Sequence, residues 1–367
     1  MILTGYSLSR PGVPAPVGAL RRARCVAALL ALSLALIGST TAASPLAAGV
    51  GDPIIIRSEP IDQFQKNTDV TRFGALTFLG GLQFSSSDSR LQGISAIRLD
   101  DAGNRFIAVT DNGNWLQGRI ERDGGKPKGF ADATISPLRD LLGRPVRGKA
   151  QGDAESLAID PDGHTAYVGF EQRHRIWAYD LRQLGGGRAR DIRQPIPVRE
   201  LRANKGLEAL ALAPSGSPLD GAMVAISEHS VDGEGHLFAG IVGKTGGVFK
   251  VKRDEKWEVS DGAFMPGGDL LLLERRFEGL FGGLGSRIRR IPGASIRPGA
   301  LVDGPVVFEA DLAEEIDNME GLDVWQDADG RTRLTLISDD NGSMFQRNIL
   351  LEFVWSGEGN PDHTVGQ

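Results

Sequence analysis

Residues 317–341, DNMEGLDVWQDADGRTRLTLISDDN, hold two apolar runs separated by an Asp/Gly turn at residues 327–330. The first run follows Glu320, and the second, residues 334–337, ends in Ser338, Asp339, Asp340 and Asn341. Two short runs around such a turn predict a β-hairpin. In an antiparallel pair the start of one strand lies beside the end of the next, so the leading and trailing acids share one edge of the sheet. A lone hairpin cannot bury a core, so the pattern has to recur.

It does. Residues 153–171, DAESLAIDPDGHTAYVGFE, place Glu155 and Glu171 at the two acid positions. Residues 206–228 place Glu208 and Glu228 there, and a shorter copy at 260–274 places Asp261 and Glu274. In the earliest copy, residues 92–112, Gly93 stands where the others have an acid, and the copy closes in Thr110, Asp111 and Asn112. Copies about fifty residues apart mark a repeat architecture in which neighbouring units bury a continuous core. Several short strands per unit fit the blade of a β-propeller. The expected fold is therefore all-β, with Leu157 and Ile159, or Leu210 and Leu212, buried between blades.

Residues 73–84 read as strands without an acid pair and form an incomplete blade, for which the last apolar run, residues 349–355, is the natural partner from the other end of the chain. Pairing of N- and C-terminal strands would close the ring and remove a free edge. Counted with the five copies, that composite blade predicts about six blades, with five or seven as alternatives. The spacing of Ile135, Leu138, Leu141 and Leu142 predicts a short helix within 132–142, and a helical turn is expected at 312–316. Gly282, Gly283 and Gly285 lie in a Gly-rich run with no strand-to-helix pattern and no GK[ST], so it reads as a loop.

The chain has 367 residues, 41% of them hydrophobic, with 49 glycines and a net charge of −6. Such a balance does not suit nucleic-acid binding. Arg21, Arg22 and Arg24 precede an apolar segment at 26–37 and then small residues ending in Ala43, which describes a secretory signal peptide over residues 1–43. Residues 44–72 read as a linker and first strand, and 73–367 as the propeller domain. The apolar run is short for a bilayer span, so no stable membrane anchor is expected and the mature protein should be periplasmic or secreted. The single cysteine, Cys25, lies in the exported segment, which excludes disulfides, thiol catalysis and a Cys-based zinc site in the mature chain.

Equivalent positions in successive blades are rotated about one axis, so the repeated acids should converge on one end of the central channel. Crowded carboxylates must be relieved by protonation, basic partners or metal, and an all-oxygen set suits Ca²⁺ or Mg²⁺ better than zinc. Asp111, Glu171, Glu228, Glu274, Asp339 and Asp340 are the candidate metal ligands. Glu155, Glu208 and Glu320 are candidate catalytic carboxylates, with His229 as a general acid or base. Arg175, Lys205 and Arg275 flank the acids and are the candidate substrate contacts, since a mouth with both signs of charge can hold cation and anion together. Each acid could equally cap a strand, and each basic residue could simply neutralise its neighbour. No G-x-S-x-G is present, so a serine-elbow hydrolase has no support.

The segments NKGLEALAL (204–212), LLLERRF (271–277), NMEGLDV (318–324) and ISDDN (337–341) resemble the phytase-like domain family described as having esterase-like activity. The resemblance extends over residues 73–354. It implies an exported β-propeller whose recurring Glu and Asp serve phosphoester hydrolysis on a small anionic substrate, and Gly93 leaves the ring of acids incomplete. Two alternatives stay open: a non-catalytic propeller that binds an anionic or sugar ligand, and a lactonase or carboxylester hydrolase on a metal-centred propeller.

Overall fold

A computed structural model describes residues 51–357 except 101, 244–245, 280–282 and 344. The expected signal peptide, with Cys25, lies outside the described residues, as does part of the Gly-rich run. No helix among the described residues is long and apolar enough to cross a membrane.

Each sequence copy supplies the two inner strands of one antiparallel blade. From the inside outward, blade one begins with Ile94–Leu99, Arg105–Thr110, Asn114–Asp123 and Lys126–Pro137. Blade two is Ala154–Ile159, Thr165–Phe170, Arg175–Asp180 and Arg190–Ile192; blade three begins Leu207–Leu212, Met223–Val231, Leu237–Val242 and Val248–Val251. Blade four is Glu258–Phe264, Leu270–Phe277, Leu284–Ile291 and Val306–Asp311. Blade five runs Met319–Gln326, Thr332–Ser338, Asn348–Trp355, Leu76–Ser85 and Arg57–Ile61. The innermost strands touch in a cycle, each against the next and the fifth against the first.

The fold is thus a five-bladed β-propeller among the described residues, where six blades were expected. Asn348–Trp355 does pair with Leu76–Ser85, for example Leu350 opposite Leu82. That pair extends the sheet of the fifth copy and forms no blade of its own, because Asn348–Trp355 is also the third strand of that copy. The helix expected within 132–142 is absent: Lys126–Pro137 is the fourth strand of blade one, with Leu116 opposite Ile135. Pro137 lacks the N–H a helix interior needs, and the apparent helical spacing runs across a strand end and a turn. At 312–316 the chain makes a turn closed by the Glu314 amide on the Asp311 carbonyl at 3.0 Å.

Why the repeats need each other is visible in the core, which falls into five clusters, one per blade interface. Ile107, Val109 and Trp115 of blade one pack with Leu157, Val168 and Phe170 of blade two. Equivalent clusters join blades two and three, three and four, four and five, and five and one. Leu157 and Leu210 are fully buried at these seams, while Ile159 and Leu212 are half-buried beside them. A blade removed from the ring would expose apolar faces on both sides.

At the axis sits Arg98. Its guanidinium pairs in fork geometry with Asp261, at 2.8 and 2.9 Å, and donates to the carbonyls of Ile97, Leu210, Gly262 and Leu322 at 2.6 to 3.3 Å. Those carbonyls belong to the innermost strands of blades one, three, four and five. Asp261 also accepts the Leu322 amide at 2.9 Å, and its side chain has no exposure. Breaking a buried pair from one side leaves an uncompensated charge, which costs about 3–5 kcal/mol. Arg98→Ala should therefore lower the unfolding free energy by about that amount in a denaturant titration; a loss within experimental error of zero would show that the ring does not depend on this contact.

Candidate active site

Each innermost strand carries a bulge at the same place. In blade two, Ala154 and Ser156 pair with the neighbouring strand and Glu155 is skipped. The skipped residues in order are Ser95, Glu155, Glu208, Ser260 and Glu320. A bulge leaves one residue out of the ladder and re-aims its side chain, here toward the start of the innermost strands. A second ring comes from the residue of the neighbouring segment that lies opposite the position two residues before each bulge: Asp111, Glu171, Glu228, Arg275 and Asp339. Blade four thus breaks both series, with Ser260 in one and Arg275 in the other.

Apart from Ser260, the residues of these two rings line a cavity of about 1350 Å³. It gathers Glu155, Glu208, Glu320, His229, Lys205, Arg275, Asp111, Glu171, Glu228 and Asp339 from the sequence-based candidates. Three candidates lie elsewhere. Glu274 precedes the blade-four ring position and is buried between Arg287 and Arg289, at 2.7 and 2.6 Å. Asp340 is tied into its own turn, accepting from Gly342 at 2.9 Å and Asn348 at 2.8 Å. Arg175 packs on Phe170 and Trp177 outside the cavity. Asp261, first matched to Glu155, is the partner of Arg98 at the axis, one residue beyond the bulge.

The carboxylates are close enough to share an ion. Oxygens of Asp153, Glu155 and Glu171 lie within 4.8 Å of one another, and so do those of Glu171, Glu208 and Glu228. Glu171 belongs to both groups and is fixed by the Gly206 amide at the entrance of the next blade. Asp339 makes the corresponding contact across the fifth and first blades, accepting from Gly93 at 2.8 Å and Ile94 at 3.2 Å. Gly93 has φ +77°, and a Cβ there would collide with the Asp111 carboxylate, so glycine at this position serves the close approach of Asp111. Sequence reading took it as a missing acid.

Basic groups face the acids from two sides, Arg275 and Lys205 from blades three and four and Lys149 near blades one and two. Arg275 contacts Glu320 and, at 3.1 Å, Glu228. Lys205 lies 2.9 Å from Glu228 and 3.1 Å from Glu258, whose other oxygen is 2.7 Å from His229 Nδ1. Lys149 bridges Asp111 at 2.9 Å. Lys149, Asp153 and Glu258 are site residues that sequence reading missed. Asp153 and Glu258 share a register with Gly93, Gly206 and Asn318, a signal visible only once the bulges are placed.

Burial, followed by the charges of Asp153 and Glu171, pushes the Glu155 carboxyl well above the usual carboxylate range. Burial, then Glu155 and Glu228, does the same to Glu208. Burial outweighs Arg275 at Glu320 and raises it to about 7, and it raises Asp339 to about 6. Glu258 moves the other way: burial is overcome by His229 and Lys205, and its pKa drops to about 2. The set therefore has more negative charge than its basic partners can satisfy, a state relieved by protons or by a hard cation.

A family model for the phytase-like family, "esterase-like activity of phytase", matches residues 89–342. The chain belongs to the phytase-like family. No curated protein matches it. Among solved structures, the phytase-like propeller is similar to the α-L-arabinanase of Cellvibrio cellulosa in complex with arabinohexaose, at 11% identity and TM-score 0.43, over 73% of this chain and 95% of the other. It is also similar to a glucose dehydrogenase, at 13% identity and TM-score 0.40 over 71% and 96% of the two chains. A luciferin-regenerating enzyme matches at 10% identity and TM-score 0.37 over 84% and 98%.

The raised carboxyls of the phytase-like mouth make a signed prediction about stability in the presence of chelator. Glu320 titrates near 7 in the folded state against an ordinary value of 4.5. Between those values the unfolded chain releases its proton while the native state keeps it. The stabilisation is complete below about pH 4.5 and is lost as pH rises through 7. The melting temperature of the chelated protein should fall across this interval, and in Glu320→Gln it should fall less steeply. Identical pH slopes for the two proteins would refute the perturbed state of Glu320.

Proposed function

We propose that this phytase-like propeller is a metal-assisted hydrolase of phosphate mono- or diesters, exported to the periplasm or beyond and working at the acidic mouth. The observation that carries this reading is the pair of carboxylate triads, buried except for the half-buried Glu155, joined through Glu171 and faced by Lys205 and Arg275. The donor set is all oxygen, negatively charged and drawn from several blades, which fits a hard divalent cation, with Ca²⁺ the preferred candidate. Asp153, Glu155, Glu171, Glu208 and Glu228 would hold it. When bound, such an ion polarises a phosphoryl oxygen and lowers the pKa of water.

The remaining work falls to the chain's own groups. Arg275 and Lys205 bind the non-bridging oxygens of the substrate and screen them from the surrounding acids. Glu320, titrating near neutrality and beside Arg275, is suited to take a proton from the attacking water. His229, held by Glu258, stands at the rim to deliver one to the leaving oxygen. Asp111 and Asp339 orient the backbone and Lys149 at the ring edge.

Glu171→Gln tests the core of the proposal, because it removes one charge from both triads while keeping the side chain's shape. Calorimetric titration with Ca²⁺ should show affinity weakened by at least the roughly 10- to 100-fold that loss of an outer-shell contact costs. Release of 4-nitrophenol from 4-nitrophenyl phosphate and from its diester should fall with it. If the wild-type protein binds no divalent cation and chelator leaves its melting temperature unchanged, the metal-assisted reading fails. Cation and phosphate binding without turnover would instead make it a binding propeller.

A further inference from the structure

A second cavity, of about 800 Å³, lies against residues 140–147 and the third strand of blade two. Four arginines line it, Arg144, Arg147, Arg173 and Arg175, against one acid, Asp140. Arg144 is taken by Asp140 at 2.8 Å. Among the described residues no carboxylate pairs with Arg147, Arg173 or Arg175. Three arginines without acid partners thus meet at one cavity of a chain whose net charge is −6.

Arg175 is the most constrained of the three. Its guanidinium lies 3.9 Å from the centroid of Phe170 and 4.3 Å from that of Trp177. It donates only to neutral carbonyls, those of Arg173 at 2.8 Å and of Gln151, while its Nε is buried with no partner. Burial pulls its pKa down to about 10, so the charge remains at neutral pH but is poorly compensated. Carbonyl contacts and ring stacking spread such a charge without cancelling it. Apolar side chains complete the lining: Val146 and Trp177 are buried, Trp177 lying under Arg175, and Leu142 is 72% exposed. Positive charge beside exposed apolar surface is complementary to a ligand with an anionic end and an apolar body.

We propose that this cavity binds an organic anion, with its carboxylate or phosphate-type group between Arg147, Arg173 and Arg175 and its apolar body against Leu142, Val146 and Trp177. None of these six residues lines the acidic mouth, so the site is distinct from the one assigned to hydrolysis. The two are neighbours, since Gln151 and Arg173 line this cavity while Asp153 and Gln172 line the mouth. The inference does not rest on the proposed hydrolysis.

Isothermal titration with benzoate and with phenylphosphonate, neither of which can be hydrolysed, tests it on the full-length protein. With chelator present, one saturable site per chain that persists in Lys205→Ala is expected for at least one of the two, and which one binds there identifies the preferred anion. Inorganic phosphate, lacking the apolar body, should bind about tenfold more weakly or worse. Arg147 and Arg173 are exposed, so R147A and R173A should keep the wild-type melting temperature and each weaken the organic anion about tenfold. Lys205→Ala, at the mouth, should leave this binding unchanged. The proposal is overturned if neither organic anion saturates, if inorganic phosphate binds as well as they do, if R147A/R173A binds normally, or if Lys205→Ala abolishes the signal.

Discussion

One unpaired residue near the start of each innermost strand makes the site possible. Strand alternation alone would send successive side chains into the two neighbouring blade interfaces, where the cores are apolar. The bulge interrupts that alternation and allows Glu155, Glu208 and Glu320 to face the cavity while Leu157, Leu210 and Leu322 remain buried. A carboxylate in either interface would face the full cost of an unpaired buried charge. The same irregularity therefore serves packing and chemistry at once.

The departures from symmetry are as informative as the repeat. Five blades with two acids each would place ten carboxylates at one mouth, a repulsion that no small set of partners could balance. Blade four supplies Ser260 and Arg275 in their place, and blade one supplies Ser95. The result is polarised: Arg275 and Lys205 concentrate near blades three and four, while the densest carboxylates lie near blades two and three. A site that must hold a cation and an anion side by side needs that unevenness.

Much of this was legible in the chain. Turns between apolar runs located all five inner hairpins, and the repeated acids with the basic residues beside them named ten residues, seven of them acids, that the structure brings into one cavity. What failed did so for local reasons. The fourth copy was aligned on its acids, so Asp261 and Glu274 were placed one residue away from the true equivalents, Ser260 and Arg275; a bulge has no composition of its own to betray it. The sixth blade came from counting the pairing of residues 76–85 with 348–355 apart from the fifth copy, a distinction that depends on which strand is shared. Residues 132–142 mimic helical spacing because a strand end and the following turn happen to put Ile135, Leu138 and Leu141 three apart. Lys149 was invisible, since it reaches the mouth from a four-residue helix outside any repeat.

The guanidinium of Arg98 spans the innermost strands of four blades with one planar group whose atoms lie within hydrogen-bonding distance of all of them. A rigid fork of that size fits an axis of one diameter. Inserting another blade would widen the ring and carry some of those carbonyls out of reach, and deleting one would crowd the fork against the strands that remain. Repeat proteins ordinarily change length by gaining or losing units, but here a single side chain acts as a gauge. In this chain the number of blades is matched to the reach of one arginine.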